Sequence, residues 1–439
     1  MASFDEGTGP GLTLAAAGDS LVTKRVTESR DPAFLSLVEL LQSADVRFTN
    51  LETTLHDFRG TPQAAGNGFY AVAPPRIIDD LSSLGFNLYA AANNHMMDWG
   101  EGGLFATMET LDRAGVVYAG IGRNLQEARA PRYLEVPSGR VALVAATSTF
   151  PPHAPAGEQR PDCQGRPGVN PLRFETVVSL DDETLEFLTF INERLGLNGA
   201  HDLWIRLGLT PPDPEGITTV FGHRFRVGNP AGVQTQPRAD DMEGNLAWIR
   251  DARRQADWVI VSLHAHEMAS TDQEQPAQFI EMFCRAAVDA GADAVVCHGP
   301  HVLRGVEVYE GKPILYSLGN FIFQSETLLR QPADVYERLG LPPTATPADL
   351  FHARESAGGF TADPLYWESV VAMCRFDDDT LGEMRLYPIT LGYGRTRLQR
   401  GSPLLAPPEQ GQGTIERLAN LSPTCQIDWQ PEGFGLVQW

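Results

Sequence analysis

Residues 291–323 read GADAVVCHGPHVLRGVEVYEGKPILYSLGNFIF, and the fold turns on this stretch. Its first part, Ala292 to Cys297, is a short apolar run of the kind that forms a buried strand. The run ends on His298-Gly299-Pro300-His301, where a Gly-Pro turn holds two imidazoles close together. Two further short strands, near Val306 and Ile314, are expected to pair. A buried strand that delivers polar residues at its carboxyl end is the signature of a layered α/β sheet with a site on that edge.

Outward from this block the same alternation recurs. Upstream lie a strand at Trp258 to Leu263 and helices at Asp240 to Gln255 and Gln275 to Ala290. Nearer the start, strands are expected at Leu12 to Ala17, Val46 to Leu51, Asn87 to Ala92, Val116 to Ala119 and Val141 to Ala146. Helices fall between them at Phe34 to Leu41, Pro74 to Leu84 and Leu104 to Ala114. The pattern breaks at 151–236, where Pro, Gly and Asp are frequent and the one firm helix is Asp182 to Leu195. That stretch reads as an insertion lying over or beside the site. A second irregular insertion runs over 327–364. Two strands (Ser369 to Phe376, Gly382 to Pro388) and a loop-rich tail follow, so 12–325 is set apart from 326–439.

The polar residues worth attention all sit where strands end. Asp19 follows the first strand, Glu52 the second, and Asn93-Asn94-His95 the third; His264 and His266 follow Trp258 to Leu263. Five of the ten histidines therefore fall at three strand ends. Taken singly, Asp19 is as readily a turn cap, Glu52 a surface carboxylate, and one of His264 and His266 a structural histidine. Taken jointly, imidazole and carboxylate form a ligand set for one or two divalent ions: Mn, Zn, Fe or Ca. Asp98, three residues after His95, is close enough to orient that imidazole for proton transfer. Trp99, Arg304, Tyr316 and Asn320 are candidate substrate contacts.

Composition narrows the class. The 439 residues carry 34 basic and 56 acidic side chains, a formal net charge of −22. Nucleic acid and anionic membrane are unsuited partners for such a chain. Five scattered cysteines without a C-x-x-C pair read as reduced thiols. MASFDEGTGPG at the start lacks the basic and apolar regions of a secretory signal, and no apolar run reaches the ~18 residues of a membrane helix. The expectation is a cytoplasmic protein; the sequence sets no oligomeric state.

Gly18-Asp19-Ser20-Leu21, Asn50-Leu51-Glu52-Thr53, Ala92-Asn93-Asn94-His95 with Asp98 and Gly100, His298 through Gly305, and Tyr316-Ser317-Leu318-Gly319-Asn320-Phe321 resemble the CapA family of poly-γ-glutamate synthesis proteins. That family is similar to the calcineurin-like metallophosphatase superfamily. The resemblance implies a four-layer α/β/β/α sandwich, here carrying the two insertions. It maps Asp19, Glu52, Asn94, His264, His298 and His301 onto metal-binding strand ends, and His95 onto a proton-donating histidine. Three motifs depart from the pattern. Asp19-Ser20-Leu21 stands for Asp-x-His, His264-Ala265-His266 for His-Trp-Gly, and Cys297-His298-Gly299-Pro300-His301 for Gly-His-His-Pro-His.

The chemistry expected is general acid/base work by His95, Asp98, His266 and His298 on a peptide or amide substrate. Hydrolysis of an amide, including a γ-glutamyl bond, leads. Epimerisation at a Cα, phosphoester hydrolysis and a non-enzymatic role as a polymer-binding accessory protein are the alternatives.

Overall fold

The computed structural model describes residues 11–27, 29–64 and 68–439. The N-terminal segment read for a signal, residues 1–10, lies outside them. Two large sheets make the body. In the first, the strands run in the order Gln426–Gln430, Phe434–Gln438, Thr380–Thr390, Glu368–Asp377, Leu12–Leu21, Val46–Leu51, Leu88–Ala90, Val117–Ala119. In the second the order is Leu303–Tyr309, Lys312–Leu318, Ala294–His298, Trp258–His264, Gly139–Thr147, Arg132–Val136. The central strands of each are parallel neighbours, joined by helical crossovers.

The period of two along each strand explains the layering. Leu12, Leu14 and Ala16 point into a core shared with Val141, Leu143 and Ala145 of the other sheet. Their alternates, Ala15 and Ala17 on one side and Ala142, Val144 and Ala146 on the other, face helices. Pro32–Gln42, Ile77–Ser83 and Gly100–Ala114 cover the first sheet; Ala239–Arg253 and Gln278–Asp289 cover the second. The result is the α/β/β/α sandwich. Local signals agree: Asp31 Oδ1 accepts from Ala33 N at 2.9 Å ahead of Pro32, and Gly115, at φ +68°, ends Gly100–Ala114.

Several expectations change. The stretch 151–236 is not irregular. It holds a four-stranded sheet (Thr218–Val220, His223–Val227, Phe174–Leu180, Gly232–Pro237) and two helices, Asp182–Leu195 and Gly199–Arg206. These short, exposed strands carry too few apolar residues to announce themselves. That sheet packs on the first turn of helix Gln278–Asp289, with Phe174 stacked on Phe279 at 4.3 Å. Ala154 and Val169 of its leading arm join the same core as Met96 and Met97.

The second insertion contains helices Ala333–Arg338 and Pro347–Ser356, the latter opened by a Thr346/Asp349 capping box. The tail holds a helix, Pro408–Leu421, and a hairpin. The sequence reading set 326–439 apart, whereas Glu368–Asp377 pairs directly with Leu12–Leu21 inside the first sheet. Gln275 belongs to a short strand, Asp272–Pro276, so the following helix starts at Gln278. Among the described residues no helix is long and apolar enough to cross a membrane.

Candidate metal centre

Asp19 owes its position to a change of neighbour along its strand. Up to Ala16 the strand pairs with Glu368–Asp377; from Asp19 it pairs with Asn320–Phe323 instead. The two chains cross at Gly18, where a Cβ would lie 1.8 Å from the Gly319 carbonyl oxygen. Only glycine fits there. Asp19 N then donates to Gly319 O at 3.1 Å, and its side chain enters the space between the sheets' carboxyl ends. His301 follows the Gly-Pro turn with φ +61°, a conformation uncommon for a side-chain-bearing residue and typical of strained functional positions.

The strand ends converge on two groups of ligand atoms. Asp19, His264 and His298 form one; Glu52, His266 and His301 form the other, with ligand atoms in each within 4.8 Å of one another. His264 joins them. Its Nδ1 is 3.0 Å from His298 Nδ1 and 3.9 Å from Asp19 Oδ1, while its Nε2 is 3.0 Å from His266 Nε2 and 3.9 Å from Glu52 Oε1. His301 Nε2 lies 3.6 Å from Glu52 Oε1.

A divalent cation fits this arrangement on structural grounds. Both oxygens of Glu52 are buried and accept no hydrogen bond, and Asn94 Oδ1 is buried in the same condition. A buried, unpartnered carboxylate costs several kcal/mol unless a cation compensates it. Burial and the neighbouring imidazoles hold His264 and His266 well below the usual histidine range, so both keep lone pairs to donate. Burial, reinforced by Asp19 and Asp98, pushes Glu52 well above the carboxylate range, with His301 opposing. Burial also opposes ionisation of Asp19, but hydrogen bonds and charge from His298 and His301 outweigh it and hold that carboxyl well below its usual value. His301 loses to burial and gains more from Glu52 and Asp19, reaching about 9.

A surrounding layer aims the ligands. Asn50 Nδ2 donates to Asp19 Oδ1 at 2.8 Å, and Gly299 N donates to Asp19 Oδ2 at 3.0 Å. Ser262 Oγ sits 2.7 Å from His298 Nε2, leaving Nδ1 to the cluster. With both nitrogens engaged, His298 suits a ligand and not the proton carrier it was also expected to be. His266 meets His264 Nε2 through its own Nε2 at 3.0 Å.

His95 is different. Its Nδ1 is 2.7 Å from Asp98 Oδ2, which also accepts from Ala71 N at 2.8 Å. Phe69 stacks on the ring at 4.8 Å, and Nε2 points to the centre, 3.9 Å from Glu52 Oε1. Burial raises the Asp98 carboxyl, against the pull of His95.

The four expected substrate contacts turn out to be braces. Trp99 packs edge-on to His56, Phe58 and Tyr70. Arg304 is fully buried and donates to the carbonyls of Gln273, Ala265 and His266, pinning the histidine loop from behind. Tyr316 donates to Glu307 Oε2 at 2.7 Å in the helix-facing core. Asn320 Oδ1 is 2.9 Å from His301 Nδ1, and its amide donates to the His301 and Tyr366 carbonyls.

Sequence reasoning passed over His153. Its Nε2 is buried without a hydrogen-bond partner, and its charge favours ionisation of Asp98. It follows Pro151-Pro152 at the head of the first insertion, outside any strand end, so no periodicity marked it.

Comparison with known proteins agrees with the geometry. The family described as bacterial capsule synthesis protein PGA_cap matches residues 13–325. A Sinorhizobium fredii protein described as "Uncharacterized protein y4sH" is 39% identical over 426 residues, covering 94% of this chain and 89% of its own. The capsule biosynthesis protein CapA of Bacillus anthracis is 26% identical over 318 residues, 71% of this chain and 60% of its own. A probable polyglutamine synthesis accessory protein of Mycobacterium tuberculosis is 27% identical over 290 residues, 64% and 56% of the two chains.

Proposed function

The chain belongs to the bacterial capsule synthesis protein family PGA_cap, and from that premise we propose that its buried carboxylate–imidazole cluster hydrolyses an amide bond with the help of one or two divalent cations. The observation that carries this reading is Glu52. Both its oxygens are unpartnered, and Oε1 lies 3.9, 3.9 and 3.6 Å from the Nε2 atoms of His95, His264 and His301. Asp19, His264 and His298 would hold one cation; Glu52, His266 and His301, with Asn94 nearby, a second. When bound, such a cation supplies Lewis acidity toward a carbonyl oxygen.

The chain's own chemistry rests on His95. Asp98 fixes the ring through Nδ1, so Nε2 is the nitrogen that exchanges a proton with substrate. In amide cleavage the leaving nitrogen must be protonated, and His95 Nε2 is aimed at the space where that atom would stand. Phe69 keeps water from one face of the imidazole. The names of the relatives favour a γ-linked glutamyl amide over other substrates.

Purified protein, reconstituted separately with Mn, Zn, Fe and Ca, should release amine from a panel of γ-glutamyl peptides, and chelator should abolish the release. Elemental analysis should return one or two ions per chain. Failure to cleave any member, with full metal loading, would leave the chain an accessory binder. Solvent deuterium entering a peptide Cα without cleavage would move the assignment to epimerisation.

A further inference from the structure

Large apolar side chains are not spread evenly over this surface. Of the nineteen that are exposed among the described residues, eleven fall between 187 and 233, inside the first insertion. Between 175 and 237 only two apolar residues, Leu185 and Val220, are buried.

The helix Asp182–Leu195 carries three of the eleven, Phe187, Phe190 and Leu195. Leu185 and Asn192, seven residues apart, are its buried positions and meet the small sheet. Roughly opposite, at about 100° per residue, stand Glu183, Phe187, Phe190, Ile191 and Arg194. Phe187 is 61% and Phe190 52% exposed; Glu183 and Arg194 are exposed as well. The Arg194 guanidinium carbon sits 5.6 Å from the Phe190 ring centre. No described part of the chain covers these two phenylalanines.

The spacing of that outer face is self-complementary. Place two such helices antiparallel about a two-fold axis midway between Leu188 and Thr189. Phe187 then meets Phe190 of the second copy, and Glu183 meets Arg194 of the second copy, each contact occurring twice. An isologous interface requires this matching of a patch with itself. We infer that the outer face of helix Asp182–Leu195 is a two-fold docking surface for a second copy of this chain. A lipid surface suits it poorly, since Asp181, Asp182, Glu183 and Glu186 crowd its start and the chain carries a net charge of −22.

The test is the mass of the full chain in solution, by light scattering and sedimentation velocity over a concentration series. Wild type should reach twice the chain mass. Phe187→Glu should be monomeric with an unchanged circular-dichroism spectrum. Glu183→Arg and Arg194→Glu should each weaken association about tenfold or more, because like charges then face each other. The double variant E183R/R194E should recover it, a result that simple loss of folding would not produce. The inference is overturned by a monomeric wild type, by a dimer that none of these variants weakens, or by a double variant that stays weak. Sedimentation of monomer with phosphatidylcholine vesicles would overturn it too, handing the face to a lipid.

Discussion

At the scale of single residues, the proposed reaction divides the labour among Glu52, His95 and Asp98. Glu52 has acceptors to spare and no donor, so its role is charge. His95 has one nitrogen tied and one directed inward, which in the proposed reaction gives it the proton. A residue that only ligates lowers metal content when removed; a proton donor leaves the metal and removes the rate. His95→Asn should therefore keep its metal and its melting temperature while kcat falls by roughly 10²–10⁴. Asp98→Asn should fall less and shift the pH–rate profile, because the imidazole loses its orienting carboxylate. Elemental analysis beside steady-state kinetics reads both. Loss of metal in His95→Asn, or turnover within a factor of a few of wild type, would remove His95 from the proton-transfer role.

At the scale of elements, the site depends on how closely two backbones pass. The strand Leu12–Leu21 can present Asp19 only because it leaves one neighbour and joins another at Gly18. A methyl group there would sit 1.8 Å from the Gly319 oxygen, against backbone that cannot rotate aside. Gly18→Ala should cost about 2–3 kcal/mol or more in denaturant unfolding and should also reduce bound metal. An unchanged midpoint would mean that the crossing is looser than these distances describe. Arg304 shows the same logic from behind, since its guanidinium donates to three loop carbonyls and so fixes where His266 stands.

At the scale of the whole molecule, the centre ties the two sheets together. Asp19 and Glu52 come from the first, His264 and His298 from the second, and all four are fully buried. A cation gripping both sheets binds the folded chain alone and stabilises it by mass action, about 2.7 kcal/mol at a hundredfold excess over Kd. Chelation should lower Tm by several degrees. Glu52→Gln should shrink the rise in Tm on adding metal, because a neutral amide offers a divalent cation no charge. Thermal melts of both proteins with and without added metal decide this; an equal rise in the variant would mean that Glu52 does not hold the cation.

Much of this was legible in the sequence because local physics controls it. Apolar runs of strand length alternating with amphipathic helices specify the layers, and polar residues placed just after each run must gather at one sheet edge. Asp19, Glu52, His95, His264, His266, His298 and His301 are found together for that reason. What only the tertiary structure decided is which face each remaining side chain occupies. Arg304 and Tyr316 have site-like chemistry and sit in site-like motifs, yet both point into packing, because a strand sends alternate residues to opposite sides and the partner sheet chooses between them. His153 reaches the neighbourhood of Asp98 only through the folding of an insertion. The C-terminal strands joined the first sheet through pairings with Leu12–Leu21, some 350 residues away. Such pairings arise from long-range complementarity of edges, and no window of sequence contains both partners.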